Sequence, residues 1–283
     1  MNVDNITALS AAAKEAGLPV KDVATNLLDE PTKEFGSGLG SMINVVFYPF
    51  HFLKAKGEVA LEKIEVLKKE IQNGISRVPD KNKVDPQLSI VGPALEATKY
   101  HVEHDEIRKL IVNLIVASIN VEKQEMLHPS FPEIVKQLSP FDVKVLRNLV
   151  EDQRIPFASI IAVKNAKSPI RFSSASIFTV ITNYLMPFPD LTLDNSSQYE
   201  SAVENLIRLS IIEISQSDTH ADEGYYDRLE THPILKETED FLRLNNNRPF
   251  DDYVFEYRKG SWSFTQLGKM FINCCMYDSE SEQ

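Results

Sequence analysis

The sequence predicts a mainly α-helical fold with minor β structure: an N-terminal helical region or bundle, then a C-terminal winged-helix-like domain with a short β-hairpin. Three observations carry this. Ala60, Ile64, Leu67 and Ile71 recur at helical spacing among charged neighbours, the pattern of an amphipathic helix. Residues 105–120 are apolar nearly all round, which places a helix in the middle of a bundle. Residues 253–257 and 261–264 alternate around Lys259-Gly260, which is a hairpin signal.

A chain of 283 residues can bury a core as one large domain or two smaller ones. Its apolar content of 43% and charged content of 25% are those of a soluble globular protein. The N-terminus has no basic segment leading into an apolar run, so no secretory signal is read. No apolar stretch is long enough for an ordinary transmembrane helix. Cys274 and Cys275 are adjacent, a poor staple and too small a set for zinc, so a reducing cytoplasm is expected. The expected division is a helical region over 1–138, a winged-helix-like domain over 139–276 with an insert near 216–252, and an acidic tail over 277–283. The net charge of −11 divides unevenly, −3 before Ser139 and −8 from there on.

Residues 6–16 form a short Ala-rich helix that Gly17-Leu18-Pro19 stops, and 21–28 add a turn or two before Asp29-Glu30-Pro31. Gly36, Gly38 and Gly40 then precede an apolar run over 42–53. The glycines lack the Lys-Ser/Thr of a phosphate loop and suit close helix packing. The run is too short for a bilayer core of about 30 Å, which takes about 20 helical residues. Core burial is its plain reading. The sharper one is membrane or subunit contact through Val46, Phe47, Phe50 and Phe52.

Residues 78–92 read as an extended connector, with Gly92-Pro93 opening the next helix. Ile107, Leu110, Ile111, Leu114, Ile115 and Ser118 mark one face of the central helix. Ser130 and Glu133 fit a capping box, and Ser139 caps a helix from Pro140 with Phe141, Val145, Leu146 and Leu149 inward. Residues 154–185 mix apolar and Ser/Thr positions and match neither period. Ser197-x-x-Glu200 caps a helix bearing Tyr199, Ala202, Val203, Leu206 and Ile207, which runs into a strand at 211–215. The insert holds a helix at 234–244. Thr265 caps a last helix with Leu267, Met270, Phe271, Cys274 and Cys275 inside.

A winged helix invites a search for nucleic-acid contacts. Asn205 and Arg208 on the candidate recognition helix, with Arg258 and Lys259 at the wing tip, are the candidates. An acidic half of net −8 disfavours DNA and favours a winged helix used for packing or for binding protein. His101 and His104, three apart, could share a metal on a helix but lack a third ligand. His128-Pro129 reads as loop geometry, and His220 and His232 as exposed residues of the insert. No carboxylate pair, Ser/His/Asp set or nucleotide fingerprint stands out, so no catalytic residue, cofactor or metal is expected.

Distinctive words punctuate the chain in a fixed order. They are Leu18-Pro19 with Pro31 and the Gly-rich segment, Pro49, Val78-Pro79, and Val91-Gly92-Pro93-Ala94-Leu95-Glu96. Asp105-Glu106, His128-Pro129-Ser130-Phe131 and Leu138-Ser139-Pro140 follow. With these words the chain resembles the abortive infection alpha (Abi-alpha) family of bacteria over about residues 15–275. The resemblance implies a part in defence against phage, by halting or killing the infected cell, and brings no catalytic residues with it. The expected protein is non-enzymatic and acts through a protein partner or self-association. The alternatives are a membrane-acting effector that uses residues 36–53, and a winged-helix nucleic-acid-binding regulator.

Overall fold

A computed structural model describes residues 58–101, 103–164, 177–181, 188–245 and 251–276. The helices expected before residue 58, the glycine segment, the apolar run with Val46, Phe47, Phe50 and Phe52, and the acidic tail lie outside these residues. The described chain is mostly helical with a small four-strand antiparallel sheet. Its elements are α1 (Glu58–Arg77), α2 (Leu88–His101), α3 (Asp105–Ile119), α4 (Phe131–Gln137), α5 (Pro140–Glu151), β1 (Phe157–Lys164) and β2 (Ile177–Ile181). There follow α6 (Ser196–Arg208), β3 (Ile212–Ser215), α7 (Asp227–Thr231), α8 (Ile234–Asn245), β4 (Tyr253–Phe264) and α9 (Gln266–Cys275). They form two compact units. The second is Leu138–Lys269; the first holds the residues before it and those from Met270 onward.

In the first unit the expected face of α3 is buried, from Ile107 through Ser118, and Leu67 and Ile71 of α1 are fully buried. Arg108, on α3, is only 4% exposed. Its Nε and one terminal nitrogen donate to the two carboxylate oxygens of Glu70 on α1, at 2.8 and 3.0 Å, and its other terminal nitrogen donates to Asp105 at 2.5 Å. A charge this deep is tolerable only with its donors satisfied, and breaking such a pair on one side typically costs about 3–5 kcal/mol. The last carbonyls of α9 are closed by side chains of this unit. Asn113 Nδ2 donates to Cys275 and Lys123 Nζ to Asn273, both at 2.9 Å. A cation there also suits the negative end of the helix.

Four local expectations change. α2 begins at Leu88, a turn before Gly92-Pro93, so Pro93 sits inside the helix. It forfeits only the bond to the Ser89 carbonyl, close to the helix start, where the loss is smallest. The connector before it contains a 3-10 turn at Asp80–Asn82. Ser130 does not form a capping box, because its hydroxyl lies 2.7 Å from His128 Nδ1. The box forms instead at Ser139: Ser139 Oγ accepts from the Asp142 amide at 3.1 Å, and Asp142 Oδ2 accepts from the Ser139 amide at 2.7 Å. Ser197 lies inside α6, whose cap is Asn195.

The sheet of the second unit has the order β2-β1-β4-β3. β1 pairs with β4 from Phe157↔Gly260 to Lys164↔Tyr253, and β3 pairs with the rest of β4, from Ile212↔Phe264 to Ser215↔Ser261. β1 is buried on both faces over its first six residues, so it shows no alternation; this is why residues 157–164 fit neither period. The expected hairpin does not form. Residues 253–264 are one continuous strand, and Lys259-Gly260 lies within it. The buried side switches parity there, from Phe255 to Trp262, which imitates a turn in the sequence. The cause is a change of partner strand. A Cβ on Gly260 would stand 2.6 Å from the Phe157 ring and 2.6 Å from the Ser215 carbonyl oxygen.

α6 ends in a Schellman turn. The Ser210 amide donates to Ile207 at 2.8 Å and the Ile211 amide to Leu206 at 2.9 Å, with Ser210 in the left-handed region at φ 56°. Thr265 fastens onto this turn, its hydroxyl donating to the Ser210 carbonyl at 2.5 Å and its amide to Ile211 at 3.1 Å. Thr265 Oγ1 in turn accepts from the Gly268 amide at 2.9 Å, capping α9 as expected. Gly268 is pressed against the same turn: a Cβ would lie 2.0 Å from the Ile211 carbonyl oxygen.

Two glycines in helices should therefore respond oppositely to alanine. Gly268→Ala must push the turn away and should lose about 1–3 kcal/mol by chemical denaturation, the usual cost of overpacking. A Cβ on Gly92 meets no atom within 4 Å. Gly92→Ala should gain about 0.5–1 kcal/mol, the ordinary helix preference. Equal shifts in the two variants would contradict the close approach at Gly268.

Candidate interaction surface

The residues singled out for contact with nucleic acid lie on two elements of the second unit. Asn205 projects from α6 and donates through Nδ2 to Asp142 Oδ2 at 2.8 Å. That oxygen also accepts from the Ser139 amide, so Asn205 ties α6 to the capped start of α5. Arg208, exposed at the end of α6, donates from Nε and a terminal nitrogen to Asn205 Oδ1 at 3.1 and 2.7 Å. Arg258 and Lys259 stand within β4 rather than at a wing tip, opposite Ser159 and Ala158 of β1. Being adjacent in a strand, they point to opposite faces and cannot grip one phosphate together. Lys259 is already engaged, 3.1 Å from Glu223 and 4.9 Å from the centre of the Tyr226 ring.

The insert is seated on the strand by two tyrosines. Tyr225 OH donates to the Ile155 carbonyl at 3.0 Å, which also accepts from Trp262 Nε1 at 2.7 Å. Tyr226 OH donates to the Gly260 carbonyl at 2.8 Å and accepts from the His220 amide at 2.9 Å. His220 stacks on Tyr225 with ring centres 3.8 Å apart. His232, expected to be exposed, is half-buried, because Nε2 donates to the Phe188 carbonyl at 3.1 Å and Nδ1 accepts from the Ile234 amide at 3.3 Å.

In the first unit, His101 ends α2 and His104 caps α3, so they do not share a helix face; their ring centres are 6.4 Å apart. His101 Nε2 donates to the Lys136 carbonyl at 3.1 Å. His128 closes its own loop by accepting from the Ser130 amide at 3.2 Å. Among the described residues no group of three or more His, Cys, Asp or Glu is placed to hold a metal ion. Burial pushes the Cys274 thiol up to about 11 and the Cys275 thiol well above its ordinary value, so neither is a thiolate at neutral pH. No described helix is long and apolar enough to cross a membrane.

Among the described residues the sheet ends in β2 and β3, and these two strands differ. β3 is four residues long and carries the exposed Glu213, held by Ser263 Oγ at 2.9 Å. β2 reads Ile-Phe-Thr-Val-Ile, without charge, proline or glycine, and is 47% exposed at Ile177 and 42% at Phe178. The Phe178 ring rests edge-on to Tyr253 at 5.5 Å. On the opposite face, Ile177, Val163 and Val254 form a row across three strands, and Val254 is again half exposed. This strand lay in the stretch that the sequence left unassigned; its uncharged run of β-formers was the available signal.

A polar cluster braces α5 against α6. Tyr199 OH donates to Asp190 Oδ1, and Lys144 Nζ lies 2.6 Å from Asp190 Oδ2. Phe141 and Phe188 flank the Tyr199 ring, each 4.9 Å from it centre to centre. The Lys144 ammonium and then the Tyr199 hydroxyl hold the Asp190 carboxyl below its ordinary value, while burial raises the Tyr199 phenol. A carboxyl whose value falls on folding adds stability above its unfolded value, and that stability is lost as pH falls through the folded one. Lys144→Met should thus flatten the acid limb of the stability curve below about pH 4, the range of an unperturbed aspartate. Thermal melts of variant and wild type between neutral and acid pH check this; parallel acid limbs would show that the pair contributes nothing.

A family model described as abortive infection alpha matches residues 59–275. No curated protein and no solved structure matches the chain.

Proposed function

The chain belongs to the abortive infection alpha family, and we propose that it serves bacterial defence against phage as a non-enzymatic protein acting through a protein partner or through self-association. The family by itself suggests the defence role. The observation that carries the interaction is the half-exposed, uncharged edge strand β2 on a chain of net charge −11. Soluble sheets blunt their edges with charge, proline, bulges or short length; both outer strands are short and the β1–β2 pairing shifts register between Ile160 and Ile161, but β3 carries a charge and β2 carries neither charge nor proline.

Support for the nucleic-acid reading is weaker. Arg258 and Lys259 diverge across the strand, and Lys259 already faces Glu223. In the winged-helix reading, α6, β3 and the Thr265-capped α9 keep the helix, strand and closing-helix order, and this part serves as a packing scaffold rather than as a reader of bases. The membrane reading depends on Val46, Phe47, Phe50 and Phe52 and gains no support from the described elements. Two buried free cysteines suit a reducing cytoplasm.

Expression in a phage-sensitive bacterium, challenged with a broad phage panel, tests the role. Plaquing should fall below that of the vector control for at least one phage, with infected cells failing before they release progeny. Unchanged plaquing across the whole panel would sink it.

A further inference from the structure

We draw no further inference here: the strongest candidate, the exposed apolar side of α8 at Phe241 and Leu244, carries none, because nothing in the structure shows what covers it.

Discussion

The close approach at Gly260 is the constraint on which the second unit depends. β4 can change partners only because no side chain stands at that position. On one side the Phe157 ring, at the start of β1, occupies the space; on the other the Ser215 carbonyl, at the end of β3, does so. Any Cβ would push one of the two strands off the ladder. The same residue's carbonyl receives the Tyr226 hydroxyl, so the insert is also anchored at this joint. Glycine normally weakens a strand, and its presence here is explained by the approach of two neighbours rather than by a turn.

Magnitudes decide what holds the insert. Its ion pairs to the rest of the unit, Glu223 with Lys259, Arg228 with Asp152 and Asp222 with Arg154, all involve exposed or half-exposed side chains. Such pairs are each worth about 0–1 kcal/mol and weaken in salt. Tyr225, Tyr226 and Leu229 are buried against Ala158, and the two tyrosine hydroxyls satisfy backbone carbonyls that would otherwise be costly to bury. Burial of the aromatic side chains with their hydroxyls satisfied is the larger effect. The acidic residues around them tune the surface rather than build the fold.

The helices and the short strand β3 were legible in the sequence and the rest of the sheet was not, and the difference is physical. α5, α6, α8 and α9 each pair a buried stripe with a polar side, so their 3.6-residue period survives in the sequence, while α3 is legible as a long run that is apolar nearly all round. The caps at Ser139 and Thr265 were equally plain, because a side-chain cap needs its residue in one place. β1 is buried on both faces, so its period of two is erased. β4 has the period but breaks it at Gly260, where the partner changes, and a break beside Lys-Gly is indistinguishable from a hairpin in a linear reading. Ser130 shows the opposite error: the residue types of a capping box were present, but His128 claimed the hydroxyl.

Exposure is a poor guide to what a residue is available to do. Asn205 was singled out as a polar residue on a helix face, yet its amide spans Arg208 and Asp142 and helps hold α6 to α5. Lys259 likewise spends its charge on Glu223 and the face of Tyr226. Side chains that look free in a sequence are in this unit largely committed to the fold. What we propose that β2 offers a partner is of another kind: backbone N–H and C=O groups, flanked by side chains that ask only to be covered. Backbone recognition places no special residue at any position, so it writes no motif. A chain that acts through such an edge would be expected to carry recognisable family words that are architectural, and to place its contact in a stretch with no words at all.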